Sequence, residues 1–190
     1  MTPPDDGVPV RPPVHVVVMG VSSTGKSLIG ELLAEALDAE FVEGDELHPA
    51  TNIAKMGEGT PLTDEDRWPW LEAVAERTRE VAAGGHSTVV TCSALKRSYR
   101  DVLRAAADDT FFVHLHGTFN LLAQRMRERR GHFMPPALLQ SQFETLEPLE
   151  EDERGALVDV SPPPDVVVAA ALAALDGDPR PRPGSVPPAG

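Results

Sequence analysis

The stretch Gly20-Val-Ser-Ser-Thr-Gly-Lys-Ser27 constrains this chain more than any other, because of what flanks it. Before it runs Val14-His-Val-Val-Val-Met19, β-branched and apolar, which has the pattern of a buried strand. After it, Leu28, Leu32 and Ala36 recur at helical spacing, as do Ile29, Leu33 and Leu37. A strand that ends in G-x-x-x-x-G-K-S and passes straight into a helix reads as a phosphate-binding loop. Gly20 and Gly25 lack Cβ atoms, so the backbone can bend sharply and approach phosphate oxygens. The amides of Val21, Ser22, Ser23, Thr24 and Gly25 line an anion-binding concavity, and the helix N-terminus adds its positive end. Lys26 is placed to reach the β- and γ-phosphates, and the Ser27 hydroxyl to ligate Mg²⁺.

Further along, short apolar strands alternate with helical patterns. Strands are expected at 14–19, 40–43, 87–92, 110–115 and 156–160. Helices are expected at 26–37, 50–57, 64–83, 96–107, 118–130, 136–145 and 164–175. This alternation predicts an α/β fold with a parallel sheet covered on both faces. In such sheets ligands bind beyond the carboxyl ends of the strands. Residues 1–13 hold five prolines and 176–190 are equally Pro-rich, so both read as disordered tails around a folded part at 14–175.

The net charge of −13 argues against a nucleic-acid partner. No apolar run is long enough to cross a membrane, and the first residues lack the features of a secretory signal. One cysteine, Cys92, fits a reducing cytoplasm. A regulatory GTPase would need N-K-x-D to read guanine, and the chain has none.

Four further groups of residues follow strand ends or lie on later helices. Asp45, in Gly44-Asp-Glu-Leu-His-Pro49, stands where a carboxylate could accept a proton from an attacking hydroxyl or organise Mg²⁺. His48 fits either a substrate contact or a helix entry. Thr63 reads as an N-cap, with Asp64, Glu65 and Asp66 in the first turn of the next helix. Arg67 either anchors a substrate carboxylate or neutralises these acidic neighbours. Lys96 and Arg100 are four apart, which predicts one helix face and either a second anion site or a solvated basic face. Arg125 and Arg129, again four apart, with His132 just beyond, suit a mobile lid at about 125–137 that neutralises a transferring phosphoryl group. The polar residues Gln142, Glu144 and Glu147 are compatible with capping or hinge contacts. His114 and His116 share a strand face without a third metal ligand nearby.

Taken together, these segments resemble the gluconokinase family of small P-loop sugar-acid kinases, relatives of shikimate kinase and the nucleoside monophosphate kinases. The resemblance covers nearly all of 14–175. It rests on G-x-x-x-x-G-K-S at 20–27, Gly-Asp-x-x-His-Pro at 44–49 with Asn-Ile-x-Lys-Met at 52–56, and Pro-Leu-Thr-Asp-x-Asp-Arg-x-Pro-Trp at 61–70. Cys-Ser-Ala-Leu-Lys-x-x-Tyr-Arg at 92–100, Arg-x-x-His-Phe at 129–133 and Gln-Phe-x-Thr-Leu-Glu at 142–147 complete it. The resemblance implies ATP-dependent phosphorylation of D-gluconate at its 6-hydroxyl and a Mg²⁺ requirement. It also implies a P-loop NTPase fold of five parallel strands, a lid closing over ATP, and a homodimer. One departure is local. The family loop reads Gly-Val-Ser-Gly-Ser-Gly-Lys, and here Ser23 and Thr24 replace the inner Gly-Ser.

Overall fold

In a computed structural model, the description covers residues 12–107, 109–128 and 136–178. The expected tails lie largely outside these residues, and so does the central part of the expected lid, including Arg129 and His132.

The chain runs β1 (His15–Met19), α1 (Lys26–Leu37), β2 (Glu40–Glu43), α2 (Ala50–Gly57), α3 (Asp64–Ala83), β3 (Thr88–Thr91), α4 (Arg97–Arg104), β4 (Phe111–His116), α5 (Phe119–Glu128), α6 (Pro136–Thr145), β5 (Gly155–Asp159) and α7 (Pro164–Asp176). A 3-10 turn at Gly44–Leu47 follows β2. All five strands pair in parallel, in the order β2-β3-β1-β4-β5. β1 is therefore central, with β3 on one side and β4 on the other. Chain direction across the sheet reverses there, which opens a crevice above its carboxyl end.

The two-residue period of the strands feeds two cores. Val16 and Val18 of β1 face one side with Phe111, Val113 and Leu115 of β4, packed by Ile29 and Leu33 of α1, Leu122 of α5 and Val167 of α7. Val17 and Met19 face the other side with Val90 and Phe112, packed by Trp70, Leu71 and Val74 of α3 and by Tyr99 and Leu103 of α4. Full burial of such side chains contributes about 1.5–3 kcal/mol each.

α3 starts as its sequence suggests. Thr63 Oγ1 accepts from the Asp66 amide, while the Asp66 carboxylate accepts from the Thr63 amide, forming a reciprocal capping box. At the other end of the chain, Asp176 closes α7 and Asp178 accepts from Arg154 Nε at 2.7 Å. The fold thus extends three residues into the stretch read as a tail, because an arginine on β5's approach holds it. Among the described residues, no helix is long and apolar enough to cross a membrane.

Candidate active site

The phosphate loop leaves β1 through a position only glycine fits. Gly20 has φ 137°, and a Cβ there would stand 2.4 Å from the Leu115 carbonyl oxygen. Its amide donates to the Ser93 carbonyl at 3.2 Å, which ties the loop to the segment after β3. Thr24 is buried and its hydroxyl donates to the Val21 carbonyl at 2.9 Å, so its side chain shapes the loop and leaves ligand contact to the backbone. Lys26 Nζ donates to the same carbonyl at 3.1 Å. Gly25, at φ 89°, precedes the first turn of α1, where Ser27 is exposed. Ser23 is a departure from easy geometry. It sits at φ 66°, a left-handed conformation that costs a side-chain-bearing residue about 1–2 kcal/mol.

Asp45 enters the crevice from the neighbouring strand ends. Gly44 is pressed so closely on β3 that a Cβ would lie 2.0 Å from the Thr91 carbonyl oxygen. The Gly44 amide donates to Thr91 Oγ1 at 3.1 Å, and Thr91 in turn donates to Glu43. Trp70 Nε1 donates to the Gly44 carbonyl at 2.7 Å. Both faces of the Gly44 peptide are thus held, and Asp45 is presented exposed on the 3-10 turn. Burial pushes the thiol of Cys92, the residue after β3, up to about 12; Asp45 adds to that rise and Lys26 opposes it. The buried sulfur therefore feels charge from both the loop lysine and the strand-end carboxylate.

His48 stacks on Trp70 with ring centroids 4.1 Å apart, and its Nδ1 meets Asn52 Nδ2 at 3.3 Å. Burial lowers its pKa, with Asp45 opposing and Arg67 adding to the fall, so the ring is neutral at pH 7. The Asn52 amide also donates to the Asp66 carbonyl at 2.7 Å, which fixes α2 against the start of α3.

The cations are organised by a residue the sequence marked only as a helix-dipole partner. Asp64 accepts from Lys96 Nζ at 2.9 and 2.8 Å and from the Tyr99 hydroxyl at 2.5 Å. Arg67 stands 4.0 Å from the same carboxylate and donates to the Leu62 carbonyl. Lys96, then Tyr99, holds the Asp64 carboxyl below the usual carboxylate range, and Asp64 raises Lys96 in return. No local spacing signals this cluster, because Asp64 and Lys96 are 32 residues apart.

Arg100 does not belong to the site. Lys96 is extended, at φ −103° and ψ 151°, and caps α4 from outside, so the one-face geometry expected for the pair does not form. Arg100 instead points inward and is 0% exposed. Its Nε and Nη2 donate to Glu153 at 2.6 and 2.9 Å, and its remaining protons go to the carbonyls of Ala94, Glu147 and Pro148. All five donors are used within the fold. Arg97 and Arg104 of the same basic stretch pair with Asp101 and Asp152 at the surface. Arg125, at the end of α5, donates to the Val160 carbonyl at 2.7 Å, just beyond β5. His114 is buried with Nε2 unpartnered, and among the described residues no cluster could hold a metal through protein ligands alone.

A glycine loop on the central strand of a parallel 2-3-1-4-5 sheet, running through Lys26 into α1, places the chain among P-loop nucleotide-binding proteins. Comparison with known proteins narrows this class. A family profile described as an AAA domain matches residues 16–149. A gluconokinase of Gluconobacter oxydans is 49% identical over 156 residues, spanning 82% of this chain and 88% of that protein. The thermosensitive gluconokinase of Escherichia coli is 47% identical over 138 residues, spanning 73% and 74%. The crystal structure of a gluconokinase from Sinorhizobium meliloti superposes with a TM-score of 0.80 at 54% identity, covering 87% of this chain and 93% of that one. The chain belongs to the gluconokinase family.

Proposed function

We propose that this protein transfers the γ-phosphoryl group of ATP to the 6-hydroxyl of D-gluconate, giving 6-phosphogluconate and ADP. The observation that carries this reading is the glycine loop leaving β1 with Lys26 at the head of α1, in a chain 49% identical to a gluconokinase over 156 residues. Lys26 and the loop amides other than that of Ser22, which donates to Gln142, hold the polyphosphate. Asp45 accepts a hydrogen bond from the 6-hydroxyl and takes its proton as the oxygen attacks phosphorus and the bond to ADP breaks. Arg67 and Lys96, held by Asp64, bind the gluconate carboxylate and hydroxyls, and His48 is a neutral hydrogen-bonding group beside them. Arg125 and Arg129, in a lid assigned to about 125–137, neutralise charge on the moving phosphoryl group, and His132 of the same segment binds the substrate.

Mg²⁺ fits this site as a nucleotide-borne ion. Ser27 offers an exposed hydroxyl at the first turn of α1, and the ion's remaining ligands come from phosphates and water. When bound, it supplies charge neutralisation to the phosphates. The working assembly is a homodimer in the cytoplasm, a reading supported by the family resemblance and by the single buried thiol.

The test is 6-phosphogluconate formation from ATP, Mg²⁺ and D-gluconate, coupled to NADP⁺ reduction by 6-phosphogluconate dehydrogenase. Gluconate-dependent absorbance at the NADPH band is expected. ATP binding without turnover on gluconate, but with turnover on another sugar acid or shikimate, would replace the substrate and keep the kinase.

A further inference from the structure

Gln142 reaches from α6 to the phosphate loop. Its Oε1 accepts from the Ser22 amide at 2.7 Å, across 120 residues of sequence. An amide can only donate, so the carboxamide oxygen, not the nitrogen, is the atom facing the loop. The helix beneath it is firmly seated. Leu139, one turn earlier, is fully buried. Phe143 packs edge-on against Phe119, with ring centroids 5.8 Å apart. Beyond the helix, the Glu147 amide donates to the Leu95 carbonyl at 2.7 Å, and the Glu147 carboxylate accepts from the Arg97 amide at 2.5 Å. Gln142 therefore projects from a fixed base.

The bond lands next to the strained position. Ser23 follows Ser22 and is left-handed without being glycine. Orienting the Ser22 amide orients the chain entering that residue. The acceptor is also uncharged. A carboxylate of the same length would make the same hydrogen bond but set a negative charge against the mouth of a site built for polyphosphate.

We infer that Gln142 is a positioning residue for the nucleotide: it locks the Ser22–Ser23 corner of the phosphate loop in its anion-accepting shape, and it does so with a neutral oxygen that does not repel the phosphates. The inference rests on reading residues 20–27 as the ATP loop, and it is separable from the identity of the phosphoryl acceptor.

The experiment compares wild type, Q142A and Q142E by ATP titration calorimetry without gluconate, by KM for each substrate, and by thermal melting. For Q142A the ATP Kd and KM are expected to rise about tenfold, the worth of one hydrogen bond, with the gluconate KM within about twofold. For Q142E, which keeps the acceptor, ATP binding is expected to weaken by a similar factor at low salt and to recover as salt screens the added charge. A purely structural role would not give that salt dependence. Wild-type ATP affinity in both variants, or equal rises in both KM values, would overturn the inference. A wild type that binds ATP tightly but leaves gluconate untouched would overturn the acceptor assignment alone, and the two Kd values would still decide the role of Gln142.

Discussion

The two halves of the candidate site are built in opposite ways. The nucleotide half is local: eight consecutive residues carry the loop, the lysine and the Ser27 hydroxyl, and strand and helix on either side hold them in place. The acceptor half is assembled from distance. Asp45 depends on Thr91 and Trp70 for its position, and Lys96 and Arg67 depend on Asp64. A motif read by eye gives the first half almost whole, whereas the second is visible only once the chain has folded.

The sharpest way to break this comparison is at its local end. Lys26→Ala is expected to lower kcat by at least roughly 10²–10³-fold with an unchanged melting temperature, since electrostatic stabilisation of the transferring group is lost while packing is kept. Near-normal turnover in the coupled assay would remove the loop from the chemistry.

The distant end rests on a buried pair. Glu153→Ala strands the Arg100 guanidinium in the core, and a loss of about 3–5 kcal/mol is expected in urea unfolding. Arg100 variants should therefore fail by unfolding, whereas Lys96→Ala should remain folded. Burial opposes the shift, but Arg100 and the Glu150 amide hold the Glu153 carboxyl below its usual range. The stability this carboxylate adds is complete above the unfolded pKa and is lost as pH falls through the folded one.

His114 contributes to acid sensitivity from the same interior. Burial, with smaller contributions from His116 and Arg100, drives its pKa down to about 4. The unfolded chain takes up this proton first. Stability on the order of 3 kcal/mol is thus present above about pH 6.5 and lost between there and pH 4. His114→Gln should flatten that part of the stability–pH curve; an unaltered slope would place the acid sensitivity elsewhere.

Smaller effects probe the two halves directly. Lys96→Ala or Asp64→Asn is expected to raise the gluconate KM about tenfold and leave the ATP KM alone. Equal effects on both would deny the cluster its acceptor-side role. Ser23→Gly should stabilise the protein by up to about 1 kcal/mol, because glycine takes φ 66° without strain. A fall in melting temperature would show that the serine side chain contributes more than its backbone costs.

The fold was legible because its signals are periodic. All five strands and all seven helices stand close to their expected limits, and the parallel sheet follows from their alternation. Thr63 was also readable, since a capping box closes within four residues. What failed was inference from spacing where the helix had not yet begun. Lys96 and Arg100 looked like one face, but Lys96 is extended, and a buried glutamate 53 residues onward claims the arginine. The sequence marks Asp64 only as a helix-dipole partner and Gln142 only as compatible with capping or hinge contacts, because their partners lie 32 and 120 residues away.

Cys92 follows β3 and lies in the core with Met19 and Trp70. It is 1% exposed, and its thiol stays protonated at any physiological pH. Alkylating or oxidising reagents therefore meet no thiolate in the native protein, and the chain carries no other sulfhydryl to confuse the readout. The rate at which Cys92 becomes modified is a built-in clock for the opening of the core at the carboxyl end of the sheet.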